Sequence, residues 1–175
     1  MTAPAMNPTV YLNATSSLTD SNTVVDATFS APATGTGTSA NYVYVAARHT
    51  GTGATTAEYR LRLKVLADNS MQVALTKVVA NAETVLSTVN LSDVFTPGQY
   101  ERLRLQVSGT SSVLLQAKAW AVGASEPSGW LTTATDASSP LAAGSAGLRS
   151  YLSASATNAP VDADFMNLSV GAVAP

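Results

Sequence analysis

The stretch Glu58-Tyr-Arg-Leu-Arg-Leu-Lys-Val-Leu-Ala67 decides the fold class. Its apolar positions are Tyr59, Leu61, Leu63 and Val65, and they alternate with Arg60, Arg62 and Lys64. Successive side chains of a strand point to opposite faces, so the pattern predicts a half-buried β-strand. Asp68-Asn69-Ser70 then predicts a turn, because Asp and Asn tolerate left-handed backbone. Residues 71–79 return as the hairpin partner.

The same alternation recurs along the chain, with turn residues between the segments. Further strands are predicted at residues 9–13, 23–31, 40–49, 84–90, 100–107, 113–121, 130–135, 145–153 and 161–170. With the hairpin this makes about eleven strands and no significant helix. So many short strands with one apolar and one polar face predict an all-β protein built as a two-sheet antiparallel sandwich.

Composition narrows the function classes. The 175 residues, 46% of them hydrophobic, suit a single domain over residues 9–175, preceded by an extended arm at residues 1–8. A net charge of −2 gives no attraction to nucleic acid. The absence of cysteine excludes disulfides. The chain has no apolar run of about 18 residues, so we predict that it does not insert into a membrane.

Motifs for catalysis, cofactors and metals are weak. His49 is the single histidine and precedes a turn, without the nucleophile-elbow pattern that would suit a catalytic triad. The glycine-rich stretch at residues 35–40 opens no helix, so it does not predict a nucleotide site. Asp162 and Asp164 share a strand face and are the sole weak candidates for calcium. We therefore predict no enzyme activity and no cofactor.

An ordered set of segments carries a family resemblance. They are Tyr42-Val-Tyr-Val-Ala-Ala-Arg48, Glu58-Tyr-Arg-Leu-Arg-Leu63, Tyr100-Glu-Arg-Leu-Arg-Leu-Gln-Val107, Ala117-Lys-Ala-Trp120, Glu126-Pro-Ser-Gly-Trp130, Gly147-Leu-Arg149 and Thr157-Asn-Ala-Pro-Val161, followed by Phe165 and Leu168. Over residues 42–170 the chain resembles concanavalin A-like lectin/glucanase jelly rolls, in particular LamG-like modules of secreted proteins from high-GC Gram-positive bacteria. The resemblance implies a jelly roll. It departs where Met166-Asn167 replaces the acidic residue that often follows the final-strand Phe, so no calcium site is expected there.

The polar faces of the alternating strands supply the candidate ligand-binding residues. They are Tyr42, Tyr44, Arg48, Arg60, Arg62, Arg102, Arg104, Lys118, Trp120, Arg149 and Tyr151. If their strands are neighbours in one sheet, Arg60 and Arg62 align with Arg102 and Arg104 in a single band. Aromatic rings would stack on sugars there, and guanidinium groups would donate to hydroxyls or carboxylates. The alternative is a solvated face laced with ion pairs, such as Arg to Glu101 or Glu58, and Trp130 is expected to cap the core.

Three hypotheses follow. Such modules usually follow a signal peptide, and this chain starts at a methionine without one. We therefore expect a phage virion surface protein, a minor tail, receptor-binding or decoration subunit that forms homo-oligomers, docks its arm on other virion subunits and contacts host glycans. The alternative is a carbohydrate-binding accessory module of a secreted, extracellular bacterial protein. A glycosidase remnant is the third.

Overall fold

The computed structural model describes residues 17–173 and the backbone of residues 2–3 and 9–11. Within that part, twelve strands form two six-stranded antiparallel sheets. The strands are β1 (Thr2–Ala3), β2 (Thr9–Tyr11), β3 (Ser21–Phe29), β4 (Ala40–Thr50), β5 (Ala57–Leu66), β6 (Ser70–Val79), β7 (Ala82–Val94), β8 (Glu101–Ser108), β9 (Val113–Ala121), β10 (Thr132–Asp136), β11 (Ser145–Leu152) and β12 (Val161–Gly171). Sheet I has the order β1-β12-β3-β8-β9-β10, and sheet II has the order β2-β11-β4-β5-β6-β7.

The predicted all-β architecture is confirmed. Each predicted strand is present, and the largest difference in bounds is at β7, which runs over Ala82–Val94. The twelfth strand, β1, comes from the arm. A single 3-10 turn at Gly53–Thr55 is the one helical element among the described residues, and no helix there could cross a membrane.

The core lies between the two sheets. Sheet II contributes Tyr59, Leu61, Leu63 and Val65 of β5, and sheet I contributes Leu103, Leu105 and Val107 of β8; all are at most 2% exposed. Each fully buried aliphatic side chain contributes about 1.5–3 kcal/mol. The alternation that predicts the strands is thus also the division between core and surface.

The predicted hairpin turn is present at the end of β5. Asn69 adopts φ 65, and the Asp68 carboxylate accepts hydrogen bonds from the Ser70 amide (3.0 Å) and hydroxyl (2.6 Å). A tight connection between β5 and β6 needs a residue with left-handed backbone, which Asn69 provides. The hydrogen bonds from Ser70 to the Asp68 side chain stabilise the turn.

A buried polar cluster ties the loop after β10 to sheet II. Lys77 points inward and donates to Asp136 (2.6 Å) and to the carbonyl of Ser139 (2.6 Å). The Tyr59 hydroxyl also donates to Asp136 (2.8 Å). Burial opposes the charge on Asp136, yet hydrogen bonds from Lys77 and Tyr59 lower its pKa to about 2. The charge on Lys77 is thereby accommodated at the edge of the core.

The N-terminal arm is described in part. Thr2 pairs with Asp162 and Ala3 with Val161, so β1 extends sheet I beside β12 of the same chain. Residues 1 and 4–8 of the predicted arm lie outside the described residues. Docking of the arm on a neighbouring subunit stays a prediction.

Candidate ligand-binding site

The eleven predicted ligand residues do not form one band. β5, which carries Arg60 and Arg62, belongs to sheet II, whereas β8, which carries Arg102 and Arg104, belongs to sheet I. Their side chains therefore point outward on opposite sides of the sandwich. The predicted alignment is wrong because alternation shows that a strand is half-buried but not which sheet it joins.

Two surfaces replace the single band. The Tyr/Arg face is the outer side of sheet II and comprises Tyr42, Tyr44, Arg60, Arg62, Lys64, Arg149 and Tyr151. The Asp26 face is the outer side of sheet I and comprises Asp26, Arg102, Arg104 and Lys118, with Trp130 and Glu126 packed on them. Eleven of these residues lie on strands and alternate with core residues along them, whereas Glu126 and Trp130 lie in a loop.

Strand register arranges the Tyr/Arg face in rows across β11, β4 and β5. One row is Arg149, Tyr44 and Arg62, and the next is Tyr151, Tyr42 and Lys64. Neighbouring strands lie about 4.8 Å apart, and residues two apart on one strand are separated by about 7 Å. The two rows therefore span a patch of about 10 Å by 7 Å.

Tyr44 lies at the centre of this patch. The guanidinium of Arg60 lies 5.0 Å from its ring centroid and that of Arg149 lies 5.5 Å away. Tyr42 stacks beside it with the rings nearly parallel, at 9° and 6.1 Å between centroids. Tyr44 is 6% exposed, so it supports the patch from below.

Among the described side chains of the face, Tyr42 and Tyr151 are the accessible aromatic groups. Both are half-buried, and their ring centroids are 5.4 Å apart. The Lys64 ammonium lies 5.9 Å from the Tyr42 ring. Two neighbouring rings, each with a polar hydroxyl and bordered by a cation, present both apolar and hydrogen-bonding surface to solvent.

Both central tyrosines stay neutral phenols. Burial raises the pKa of Tyr44 to about 12, and the charge of Glu83 adds to the effect. Burial also raises the pKa of Tyr42. Their hydroxyl groups therefore retain the proton at physiological pH, and that of the more exposed Tyr42 is available to a ligand as a hydrogen-bond donor.

Two glutamates neutralise part of the positive charge. Glu58, 1% exposed, accepts a hydrogen bond from Arg60 and lies 2.7 Å from Nδ1 of His49. Glu83 accepts from the Thr76 hydroxyl (2.8 Å) and from Nη1 of Arg62 (3.2 Å). Arg60 is thus held by a buried carboxylate.

Other cations of the face have donors to spare. The Nε atoms of Arg62 and Arg149 are buried and have no hydrogen-bond partner among the described residues. Neither Arg149 nor Lys64 has an ion pair with any residue in the described part of the chain; each lies against a tyrosine ring instead. Unused charged donors therefore surround the two accessible rings.

The Asp26 face is closed by its own pairs. Arg102 donates through Nε and Nη2 to the two oxygens of Asp26, at 2.5 and 2.7 Å. A bulge in β12 gives Asn167 φ 54, and its amide donates to Asp26 at 2.8 Å. The Arg102 hydrogen bond lowers the pKa of Asp26, whose burial opposes that shift.

Trp130 completes the Asp26 face. Its ring lies 4.9 Å from the Lys118 ammonium and 5.9 Å from the Arg104 guanidinium. Glu126 accepts from Arg104 (2.6 Å) and from Lys118 (2.8 Å). The expectation that Trp130 caps the core is wrong, because the loop after Glu126 folds it over the outer side of sheet I.

Two predicted ligand residues are structural. Arg48 does not share a face with Tyr42 and Tyr44, because β4 bulges after Ala47 and gives Arg48 φ 54. Its buried guanidinium donates to three backbone carbonyls, those of Thr19, Leu141 and Gly109. Trp120 lies on the outer side of sheet I opposite Arg102 but is 9% exposed, so its ring has little surface for a sugar.

The described residues contain no group of three His, Cys, Asp or Glu side chains that could hold a metal ion. Asp162 and Asp164 are both exposed on the outer side of β12. His49 lies against Glu58, which is also bonded to Arg60, an arrangement that does not present an activated serine.

Comparison with known structures identifies the fold. No protein-family model matches the sequence, and no curated protein matches it. Solved structures do. A carbohydrate-binding module, CBM66 from Bacillus subtilis, superposes with a TM-score of 0.58 at 16% identity, over 94% of this chain and 81% of that one. The chain is a concanavalin A-like jelly roll.

Two enzymes share the jelly roll. The Bacillus licheniformis beta-glucanase matches with a TM-score of 0.53 at 15% identity, over 85% of this chain and 64% of that one. A chain described as a native glycosidic hydrolase matches with a TM-score of 0.56 at 10% identity, over 90% and 66%. At these identities the likeness shows the fold, which both binding modules and hydrolases use.

Sequence reasoning missed Glu83 and misassigned Trp130. Glu83 is a loop-end residue of β7, and its contacts with Arg62 and Thr76 depend on pairing across β6. No local pattern marks that pairing. The signal that did exist was alternation, which correctly placed Arg60, Arg62 and Lys64 outside.

Proposed function

We propose that this protein is a non-catalytic carbohydrate-binding module that holds a glycan on the Tyr/Arg face. The observation that carries the proposal is the pair of half-buried rings, Tyr42 and Tyr151, 5.4 Å apart and bordered by cationic donors. Sugars present an apolar C–H face and a rim of hydroxyls, which match ring stacking and forked donors respectively. A jelly roll that binds carbohydrate is supported by the similar module named above.

The Asp26 face is the weaker candidate for the glycan. Each of its cations already has a carboxylate, amide or carbonyl partner, and Trp130 covers two of them. A ligand there would have to break existing ion pairs before it gained any hydrogen bond.

The test is binding to a panel of soluble polysaccharides by affinity electrophoresis and calorimetry. Tyr42→Ala and Tyr151→Ala are expected to weaken binding about tenfold each, since stacking on one ring is worth about 1–2 kcal/mol. Trp130→Ala on the opposite face is the matched aromatic control and should leave affinity unchanged. Equal loss in all three variants, or loss with Trp130→Ala alone, would reject the Tyr/Arg face as the site.

The absence of catalysis is tested on the same panel. We expect no new reducing ends after prolonged incubation, because Glu58 and Glu83, the carboxylates that contact the Tyr/Arg face, are engaged by Arg60 and Arg62. If reducing sugars are released, and Glu58→Gln or Glu83→Gln abolishes the release, the proposal that the protein is non-catalytic is wrong.

The biological placement stays open to experiment. The similar structures named above give no support to a virion, so a virion surface position with other subunits as partners is a prediction from sequence, beside the alternative of a secreted module. Sedimentation with cell envelopes of high-GC Gram-positive bacteria, with polysaccharide competitors, tests glycan contact in either setting. Envelope binding that no polysaccharide blocks would favour a protein partner.

A further inference from the structure

The Tyr/Arg face concentrates positive charge on a protein that is acidic overall. Four of the nine Lys and Arg residues of the chain lie on it, namely Arg60, Arg62, Lys64 and Arg149. Glu58 and Glu83 are the carboxylates that contact them. With His49 neutral, the face carries a charge of +2 on a chain whose net charge is −2.

Pairing is uneven within this set. Arg60 is 4% exposed and bonded to Glu58, so it is held in place. Within the part of the chain that the structure describes, Arg62 has one side-chain hydrogen bond, from Nη1 to Glu83, and its buried Nε has no partner there. The buried Nε of Arg149 also lacks a partner in that part, and the Arg149 guanidinium lies on the Tyr44 ring. An unsatisfied buried donor is costly, and the cost is recovered when an acceptor arrives.

Geometry brings the under-used groups together. Arg149 and Arg62 lie in one row on either side of Tyr44, and Lys64 lies in the next row beside Tyr42. Two strand spacings separate the two arginines, about 10 Å between Cα atoms, a gap that their long side chains span from both sides. The accessible rings Tyr42 and Tyr151 lie directly next to this gap.

We infer that the ligand of the Tyr/Arg face is an anionic glycan, whose acidic group is bound by Arg62, Arg149 and Lys64 while the sugar ring stacks on Tyr42 and Tyr151. This inference rests on the proposed function. A guanidinium is a planar fork that matches a carboxylate in a bidentate pair, and such charge-assisted bonds are about twice as strong as neutral ones. A neutral sugar would leave the charge of the face without a partner.

The experiment compares polysaccharides that differ in charge alone. Polygalacturonate and alginate are each titrated beside their carboxyl-reduced forms, with polyglutamate as an anion that has no sugar and a glycerol-phosphate polymer as the phosphate source. We expect at least tenfold tighter binding of an acidic form than of its reduced form, weakening as salt rises, and no comparable binding of polyglutamate. The phosphate polymer has no sugar ring, so its tighter binding than both uronans would show a preference for phosphate and would overturn the stacked sugar.

Variants assign the effect to the face. Arg149→Gln and Arg62→Gln should each lose about tenfold in affinity for the acidic form and little for the reduced form. Arg149→Lys, which keeps the charge but loses the fork, should lose less. Arg104→Gln on the opposite face is the matched control and should change neither. Thermal unfolding of each variant separates loss of binding from loss of folding.

Failures of the two proposals are distinguishable. Equal affinity for the acidic and reduced forms, with Tyr42→Ala still weakening both, would overturn the anionic ligand and keep the carbohydrate-binding role. Polyglutamate that binds as tightly as the uronans, with no effect of Tyr42→Ala, would overturn the carbohydrate-binding role itself.

Discussion

The two outer faces of the sandwich both carry arginine, lysine and aromatic residues, but these residues have different partners on each face. On the Asp26 face, arginine and lysine meet carboxylates at 2.5–2.8 Å, and Trp130 seals the pairs. On the Tyr/Arg face, Arg149 and Lys64 lie against tyrosine rings, and the buried Nε atoms of Arg62 and Arg149 have no partner in the described chain. The cations of the Asp26 face are paired with groups of the chain itself, whereas the Tyr/Arg face retains hydrogen-bond donors for a ligand.

This difference separates arginines that stabilise from arginines that bind. A cation whose acceptors belong to the chain contributes to folding, and its removal leaves buried acceptors unsatisfied. A cation that lacks such acceptors contributes little to folding and keeps its directional bonds for another molecule. Stability and affinity should therefore respond to different substitutions.

The largest expected effect comes from Arg48, with Arg149 of the same sheet as the comparison. Arg48→Met should lower the free energy of unfolding by about 4 kcal/mol, because three carbonyls lose a buried charged donor. Arg149→Met should lower it by about 1 kcal/mol or less, the worth of its contact with Tyr44. Urea unfolding measures both. A similar loss of unfolding free energy in the two variants would contradict the distinction between structural and ligand-binding arginines.

A pH effect comes next, from the inner side of sheet I. Burial, with the charge of Asp93, raises the pKa of Glu101 to about 7. Between about pH 4.5 and 7 the folded protein keeps a proton that the unfolded chain has lost, so stability falls as pH rises through this window, by up to about 3 kcal/mol. Glu101→Gln should flatten the profile and stabilise the protein at pH 8.

Urea midpoints measured from pH 4 to pH 8 test this effect. Asp93→Asn is the matched control and should lower the slope only in part, because burial is the larger cause. Stability that rises with pH through the window would contradict the assignment. Glycan affinity in the Glu101→Gln variant should be unchanged, because Glu101 lies away from the Tyr/Arg face.

Loss of an ion pair on the Asp26 face should lower stability and leave glycan affinity unchanged. Asp26→Asn removes the charge that accepts two hydrogen bonds from Arg102, and it should lower the free energy of unfolding by about 2 kcal/mol at pH 7. The pKa of Asp26 is lowered in the folded protein, so its contribution is present above its unfolded pKa and is lost as pH falls. The wild type and the variant should therefore converge in acid. A change in glycan affinity would show that the two faces are coupled.

The smallest expected effect on stability comes from Glu83, which contacts the Tyr/Arg face. Glu83→Gln removes the carboxylate that engages Arg62, so the open face gains charge. Stability should change by no more than about 0.5 kcal/mol, as for a partly exposed ion pair. Affinity for an acidic glycan should rise about twofold to threefold, measured by calorimetry. A fall in affinity would mean that Glu83 positions Arg62 rather than competing for it.

The sequence by itself determined the fold class and the inside-out assignment of the strands. Alternation over residues 58–67 placed Tyr59, Leu61, Leu63 and Val65 in the core and Arg60, Arg62 and Lys64 outside, because successive strand side chains face opposite ways. The turn at Asn69 followed from local chemistry as well. These features depend on neighbours along the chain, and residue order carries that information.

Only the tertiary structure decided which strands are neighbours and therefore which residues meet. β5 and β8 carry nearly identical alternation but join different sheets, which divides the predicted arginine band into two faces. A bulge turned Arg48 inward, and a loop laid Trp130 over Lys118. Sheet assignment, bulges and loop paths result from packing between residues far apart in sequence. A pattern of period two is the same for every half-buried strand and cannot distinguish among them.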